Sequence, residues 1–241
     1  MFTLKSEPQD KLSILEQGFR LYRQTFWLAL PYSLLGAFFI FSPVLLIPLK
    51  PAFSPLITSM LFFGLLGFVL LSALLFRLHC FIDDLPLTFL GSLAHAMTKL
   101  IPLLLLGVLY ALMVISGTLF LIIPGIILAV SLMFSFILFL TGNQNVLQTL
   151  INSHRLVWGH WWHTLFVTSF PLLLDLAVSI AIFLGLLAAF IHHYFSFAVL
   201  YLAVCLLNIL IQALFLPLVF CIALVLLNDL RIRQGGPLPR W

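Results

Sequence analysis

Long apolar runs separated by short polar segments dominate the chain. Six of these runs come close to or exceed the roughly 20 residues that a helix needs to cross a bilayer. They cover residues 26–47, 56–78, 100–123, 125–141, 164–191 and 194–227. The pattern predicts an all-α, polytopic membrane protein with six transmembrane helices.

Composition narrows the class further. The chain is 63% hydrophobic and 7% charged, with a mean hydropathy of +1.25, whereas a soluble domain carries about 25% charged residues. Too few charges are present to cover a water-facing domain, so we expect residues 1–241 to form one integral membrane domain. The net charge of +4 then favours anionic lipid headgroups as the partner, and not nucleic acid.

The basic residues give the orientation. All eleven Lys and Arg residues except Lys50 fall on one side of a six-span arrangement. Cytoplasmic loops of membrane proteins carry such an excess of Lys and Arg. The distribution therefore predicts a multi-pass protein with both termini in the cytoplasm.

Two apolar runs contain proline at informative positions. Pro124 and Gly125 separate the third run from the fourth, and this pair suits a tight turn between two helices. The sixth run is too long for one vertical span, so we expect it to tilt, to kink near Pro217, or to extend into the cytoplasm.

The segment HRLVWGHWWH, residues 154–163, precedes the fifth run. Spacings of three and four residues predict an amphipathic helix at the membrane surface, with Asn143 or Asn145 as its cap. Its anchor residues would be Arg155, Trp158, Trp161 and Trp162. The predicted apolar face comprises Leu147, Leu150, Ile151, His154, Val157, Trp158 and Trp161.

The start of the chain contains a similar amphipathic pattern. Residues 18–27, GFRLYRQTFW, align with residues 153–162, SHRLVWGHWW, and add Arg20 and Trp27 as anchors. The apolar stripe here is Leu12, Leu15, Phe19, Tyr22 and Phe26. A weaker third copy, residues 87–104, would be capped and begun by Asp83 and Asp84. The pattern predicts three units, each an interfacial helix plus a two-span hairpin; they cover 10–83, 84–141 and 142–230, before a basic tail at 231–241.

The three histidines of the segment permit a second interpretation as zinc ligands. His160 and His163 are three residues apart and could converge, but His154 points to another face, and no Cys or carboxylate lies nearby in sequence. Zinc sites usually need such ligands to complete them. We therefore favour the interfacial anchor, and we expect no metal and no cofactor.

Asp175 is the ionisable residue deepest in a predicted span. At about 1.5 Å of rise per residue, its depth along the fifth helix is about 16 Å, which is close to the middle of a bilayer. No Lys or Arg is available at that depth, so we expect a protonated or hydrogen-bonded carboxyl. One interpretation is a proton-coupled or substrate-contacting group, and the other, which we favour, is a hydrogen bond between helices. The proposed polar site comprises Asp175, Asn208, Gln212, Ser179 and Thr168.

Sequence motifs of enzymes are missing. We find no H-E-x-x-H, no G-x-S-x-G and no glycine-rich phosphate loop, so we expect no catalytic residues. Two functions remain: a non-enzymatic module that organises the membrane or binds a protein partner or second copy, and a transporter or lipid-handling protein around Asp175. The apparent repeat runs parallel, and no break within a span is evident beyond isolated prolines, which favours the module.

The stretches GTLFLIIPGIILAV and NVLQTLINSHRLVWGHWWHTLFV resemble the YciC-like family of bacterial inner-membrane proteins, and more distantly the membrane domain that accompanies some glycerophosphodiester phosphodiesterases. The shared features are the IPGIIL hairpin at 123–128 and then Ser153, Arg155, Trp158 and Gly159. The resemblance covers most of the chain and is most specific over 117–167. It implies an inner-membrane protein of six spans with a role in envelope or membrane homeostasis. The acidic residue that the family often carries after the fourth span is missing from Thr141-Gly142-Asn143, so no role of that carboxylate is transferred.

Overall fold

The computed structural model describes residues 4, 7–49, 53–142, 144–191 and 196–235. These residues form α-helices and a 3₁₀ helix, and no strand occurs among them. The helices are α1 (Lys11–Phe41), the 3₁₀ helix (Ser42–Leu49), α2 (Phe53–Ile82), α3 (Phe89–Thr98), α4 (Leu100–Phe120), α5 (Ile122–Leu132), α6 (Ser135–Thr141), α7 (Val146–Val157), α8 (Trp161–Ile191) and α9 (Phe197–Arg233). Predictions that involve Lys5, Lys50, Asn143, Tyr194 or Arg240 lie outside the described residues.

Six segments of the described chain are long and apolar enough to cross a membrane. They are Lys11–Leu45, Ser54–Ile82, Leu100–Phe120, Ile122–Thr141, Trp161–Ile191 and Phe197–Arg233. This confirms the predicted all-helical, multi-pass class. Helix α9 has 37 residues, whereas roughly 20 residues are enough to cross the hydrocarbon core of a bilayer. Helix α9 must therefore tilt or extend beyond that core.

Contacts distinguish two ends of the bundle. The start of α1 meets the end of α9 where the Gln9 N–H donates to Asp229, and the start of α8 joins them through His163. The end of α6 meets Lys99, at the junction of α3 and α4. We call the end of the bundle that holds Gln9, Lys99, His163 and Asp229 the charged end. At the opposite end, the Tyr201 hydroxyl donates to the Val44 carbonyl of the 3₁₀ helix.

The core lies towards the charged end and is built around α9. Residues 221–230 of α9 are all buried, and α1 packs closely along them. A Cβ at Gly18 would come within 3.0 Å of the Ile222 Cα, so the missing side chain allows the two helices to approach. Small residues commonly form helix contacts in membranes because lipid supplies no hydrophobic force between helices.

The first predicted interfacial helix is not a separate element. Helix α1 continues from Lys11 to Phe41 without interruption, whereas the predicted units 84–141 and 142–230 contain the separate helices α3 and α7. Thr88, and not Asp83 or Asp84, caps α3, since its hydroxyl accepts from the Gly91 N–H. The two aspartates end the preceding helix instead. Asn145 occupies the cap position of α7 but makes no side-chain cap bond.

The predicted turn at Pro124 and Gly125 is wrong in position. The reversal lies at Leu121, a single extended residue between α4 and α5, and Pro124 lies in the first turn of α5. Proline is tolerated there because the first N–H groups of a helix have no acceptor. A Cβ at Gly125 would meet the Thr118 Cα at 2.9 Å, so this glycine permits the close approach of α4 and α5.

The hydrogen-bond ladder of the fourth span is interrupted at Met133 and Phe134, which keep right-handed helical torsions. We call this interruption, which the sequence did not indicate, the break. Helix α5 ends at Leu132 and α6 begins at Ser135. The Ser153 hydroxyl of α7 donates to the Ser131 carbonyl at 2.8 Å, and the Ser135 hydroxyl donates to the Leu132 carbonyl. A side chain that takes a carbonyl from the helical ladder is a known cause of a break. The kink predicted near Pro217 is not accompanied by an interruption, since α9 continues through that residue.

Candidate functional site: polar groups within the bundle

Helices α8 and α9 bring together part of the predicted polar site. The Gln212 side-chain amide donates to the Asp175 carboxyl at 3.1 Å, so the carboxyl joins two helices. The second Asp175 oxygen is enclosed and has no hydrogen-bond partner among the described residues, and the same is true of the Asn208 side-chain oxygen. The Thr168 hydroxyl donates to the Thr164 carbonyl of its own helix, and therefore lies outside the Asp175–Gln212 contact.

A cleft of about 260 Å³ lies between α8 and α9 beside this contact. Ser179 and Asn208 line it together with apolar side chains such as Phe183 and Leu207. Asp175 is not among the lining residues; it lies one helical turn from Ser179. The polar part of the cleft therefore comes from Ser179 and Asn208.

A second polar cluster, which the sequence analysis missed, surrounds Asp229. This carboxylate is fully buried. Its Oδ2 atom lies 2.7 Å from the Arg233 Nε and 3.3 Å from the His163 Nε2, and its Oδ1 accepts from the Gln9 N–H at 2.7 Å. The Arg233 guanidinium also donates to the Gln9 carbonyl. Arg233 thus compensates the buried charge, and the cluster ties the chain before α1 to α8 and α9.

The Asp229 cluster extends into α1. The Gln9 side-chain amide donates to the Gln17 side-chain oxygen at 3.1 Å, and the Ser13 hydroxyl donates to the Gln9 side-chain oxygen. Gln9 and Gln17 are both buried. A buried polar group is costly unless it is hydrogen-bonded, and these bonds satisfy part of that requirement. A sequence signal for the cluster was available: Asp229 and Arg233 stand four apart, the spacing of an ion pair within a helix.

Two basic residues close the end of α6. The Lys99 ammonium donates to the carbonyls of Phe139, Leu140 and Gly142 at 3.0–3.2 Å, and the His95 Nε2 lies 3.2 Å from the Leu140 carbonyl. The last carbonyls of a helix lack intrahelical donors, and cations are favoured there.

The surroundings of this pair shift both pKa values. Burial lowers the pKa of Lys99. Burial also lowers the pKa of His95, and the nearby Lys99 charge acts in the same direction, against the opposing effect of the Leu140 carbonyl bond.

Another network joins α1, α2 and α3. The Tyr32 hydroxyl lies 2.6 Å from the Ser92 hydroxyl and accepts from the Arg77 guanidinium at 3.0 Å. The Tyr32 ring also packs on Phe89 with a centroid distance of 4.5 Å. Arg77 is therefore bound inside the charged end, and α3 docks on α1 through this tyrosine.

The segment HRLVWGHWWH is divided between two helices. Helix α7 ends at Val157 and α8 begins at Trp161. Gly159 has φ of +95°, which is disfavoured for other residues, so it sets the turn. The predicted continuous interfacial helix is therefore wrong beyond Val157.

The three histidines of this segment do not converge. His163 contacts Asp229, and His154 packs on Trp158 with a centroid distance of 5.0 Å. No group of three His, Cys, Asp or Glu side chains that could hold a metal occurs in the described part of the chain.

The proposed anchor residues are mostly exposed. Trp27 is 80% exposed and Trp162 is 76% exposed. Arg20, Arg155 and Trp158 are also exposed, while Trp161 is partly buried. Within the bundle α7 buries Thr149, Leu150, Ser153, Leu156 and Val157, whereas Leu147 and Ile151 of the stripe predicted to face lipid are exposed.

The two aligned windows have similar burial. Gly18 and Ser153 are buried, as are Leu21 and Leu156, whereas Arg20 and Arg155 are exposed, as are Trp27 and Trp162. Each window therefore presents an arginine and, seven residues later, a tryptophan. The three-unit repeat itself stays a prediction.

Comparison of the chain with protein-family models, with curated proteins and with solved structures gave no match. The resemblance to the YciC-like family therefore stays a prediction.

Proposed function

We propose that the protein is a non-enzymatic module of the bacterial inner membrane that organises the bilayer at its charged end, with a role in envelope homeostasis. The observation that supports this proposal is the repeated exposed arginine and tryptophan, Arg20 with Trp27 and Arg155 with Trp162. Tryptophan is enriched at headgroup depth, and arginine attracts anionic headgroups. In this proposal the two pairs bind anionic lipid at the cytoplasmic surface.

The lipid that accompanies the purified protein tests this proposal. We expect enrichment of phosphatidylglycerol over phosphatidylethanolamine around the wild-type protein, and loss of most of it in the double variant Arg20→Gln/Arg155→Gln. Arg23→Gln is the matched control, because this exposed arginine of α1 has no tryptophan seven residues later. Equal enrichment in the double variant and the control would refute the role of the pairs.

The proposal also includes orientation, with both termini in the cytoplasm. Reporter fusions after Leu121 and Gly142 separate the alternatives, because these residues lie at opposite ends of the α5–α6 span. We expect a periplasmic signal after Leu121 and a cytoplasmic signal after Gly142. The reverse result would place the charged end outside the cytoplasm and would remove the anionic-lipid argument.

A transporter or lipid-handling protein is the second candidate. Two observations favour it: the cleft beside Asp175, lined by Ser179 and Asn208, and the break between α5 and α6. Broken helices near the middle of the bilayer commonly form transport sites. However, the break lies in the fourth span and the Asp175 contact lies between α8 and α9, so the two features do not combine into one described site. We therefore rank this function second.

A further inference from the structure

A second cleft, between α2, α6 and α9, has a different character. Its volume is about 250 Å³, and apart from Ser72 all of its lining side chains are apolar. Phe68 and Leu75 line it from α2, Met133 and Leu140 from the broken span, and Val219 and Ala223 from α9. All three segments run towards the charged end, so the cleft lies along the bundle, with Leu75, Leu140 and Ala223 nearest that end.

The lining restricts what can fill this cleft. Water needs two to four polar partners to occupy a cavity, and Ser72 alone supplies a polar side chain. An empty cleft would forfeit dispersion contacts on every wall. In a bilayer the surrounding solvent is hydrocarbon, so a lipid acyl chain suits the walls. The volume lies just below the ~300–1,000 Å³ of typical small-molecule pockets, which suits part of one chain.

A positive charge lies at the charged end of the cleft. The carbonyl of Leu140, whose side chain lines the cleft, accepts from the Lys99 ammonium at 3.1 Å. Carbonyl dipoles bind this ammonium, and no carboxylate of a described residue forms an ion pair with it. Asp83, which follows the end of α2, instead lies 3.3 Å from the His79 Nδ1. An anionic headgroup could therefore balance the Lys99 charge while its chain follows the cleft.

We propose that this cleft binds an acyl chain of an anionic phospholipid whose headgroup lies at Lys99. The site is separate from the exposed arginine–tryptophan pairs, so a bound lipid here would be held within the bundle. The two proposals can fail independently. Arg20→Gln/Arg155→Gln should leave occupancy of the cleft unchanged, and filling the cleft should leave lipid enrichment at the surface unchanged.

Photolabelling of the full chain tests the site. The protein is reconstituted in vesicles of phosphatidylethanolamine and phosphatidylglycerol, with the latter carrying a diazirine in its acyl chain, and labelled peptides are mapped. We expect labelling of 133–140 and 219–223, reduced about fivefold by Ala223→Phe, since the added ring overfills the cleft. Ala177→Phe on the exposed face of α8 is the matched control and should leave this labelling intact.

A second cleft-filling variant and a comparison of two lipids complete the test. Ser72→Leu fills the cleft from α2 with a side chain smaller than phenylalanine. Ser72→Leu is used in place of Ala223→Phe if Ala223→Phe melts at a lower temperature than the control Ala177→Phe. Unchanged labelling in a folded, cleft-filled variant would refute the acyl-chain site. A diazirine on phosphatidylethanolamine should label the cleft less than one on phosphatidylglycerol, and Lys99→Gln should remove that difference. Equal labelling by both lipids in the wild-type protein would refute the anionic headgroup.

Discussion

Asp229 and Asp175 are two carboxyl groups inside the same bundle, and their surroundings differ. Asp229 is fully buried and contacts a guanidinium, an imidazole and a backbone N–H, contributed by Arg233, His163 and Gln9. Asp175 is half-buried and accepts one bond, from Gln212.

The position along the bundle explains the difference. Asp229 lies at the charged end, where an arginine one turn away can remain near water while it pairs. Asp175 lies deep in α8, where no basic side chain is within ion-pair distance among the described residues. A charge there is costly, so a neutral amide such as Gln212 is the partner that this depth allows. Depth therefore decides whether a buried carboxyl is paired as an ion or as a hydrogen-bonded group.

Asp229→Asn should have the largest effect on stability. The change removes the charge that compensates the Arg233 guanidinium, and breaking a buried pair costs about 3–5 kcal/mol. We expect a lower melting temperature in nanodiscs, by on the order of 10 °C. A melting temperature within about 1 °C of the wild-type value would show that Asp229 does not hold the helices together.

A double variant sharpens this test. Asp229→Leu with Arg233→Met removes both charges, and apolar replacements of a buried pair are often neutral. We expect the double variant to melt at a higher temperature than Asp229→Leu alone. A purely additive loss would indicate that the bonds to Gln9 and His163, and not the ion pair, carry the stability.

The charged end should also respond to pH through His95. Burial lowers the pKa of this imidazole below its ordinary 6.5, so the unfolded chain binds the proton more readily than the folded protein. Stability should therefore be fully present above pH 6.5 and should fall as the pH drops below that value. His95→Gln should flatten part of this dependence of melting temperature on pH.

The matched control for the pH test is His154→Gln, which changes a half-buried histidine of α7 that packs on Trp158. The wild-type slope should persist in this variant. An identical slope in His95→Gln would assign the pH dependence to other groups.

Changes at Asp175 should be smaller. Asp175→Leu removes one membrane hydrogen bond, which is worth about 0.6 kcal/mol on average, and the loss should shrink when Gln212 is also made apolar. Asp175→Asn keeps a hydrogen-bonding side chain and should be nearly neutral in melting experiments. A stable Asp175→Asn protein that fails to complement a deletion strain would show that the ionisable carboxyl of Asp175 is needed for function. Transport would then become the first candidate.

Glu16→Gln should have the smallest effect. It breaks the Arg20–Glu16 pair, which is 3.2 Å long and exposed at both ends, and exposed pairs contribute about 0–1 kcal/mol. We expect no change in melting temperature beyond experimental error. A loss comparable to that of Asp229→Asn would mean that burial does not separate strong from weak ion pairs in this protein.

The membrane class, the six spans and a hydrogen bond from Asp175 to Asn208 or Gln212 could be predicted from residue type and depth; the structure selects Gln212. The packing faces could not be predicted. Leu12 and Phe19 of the apolar stripe predicted to face lipid are exposed. Gln17, Gly18 and Thr25 are buried on another face of α1, together with Ile14 and Leu21. In a membrane, large apolar residues suit the lipid and small or polar residues suit helix contacts. The spacing of large apolar residues therefore does not indicate which small and polar residues pack inside the bundle.

Features that depend on tertiary contacts could not be predicted from the sequence either. The break after Leu132 depends on Ser153, 22 residues from Ser131. The role of Asp229 depends on Gln9, which is 220 residues away. Asp175 is recognisable from the sequence because it interrupts an apolar run. Asp229 follows an apolar run, where polar residues commonly mark the end of a span.

The packing of α1 on α9 sets an order of assembly. Gly18 of α1 faces Ile222 of α9, and the Gln9 N–H donates to Asp229. Because α1 precedes α9 in the chain, α1 finds these partners only after α9 has been synthesised. Until then Gly18 and the side chains of Gln9 and Gln17 must contact lipid, water or the insertion machinery. The contact between α1 and α9 therefore forms late, and a ribosome that stalls before α9 would leave five of the six described spans in the membrane without it.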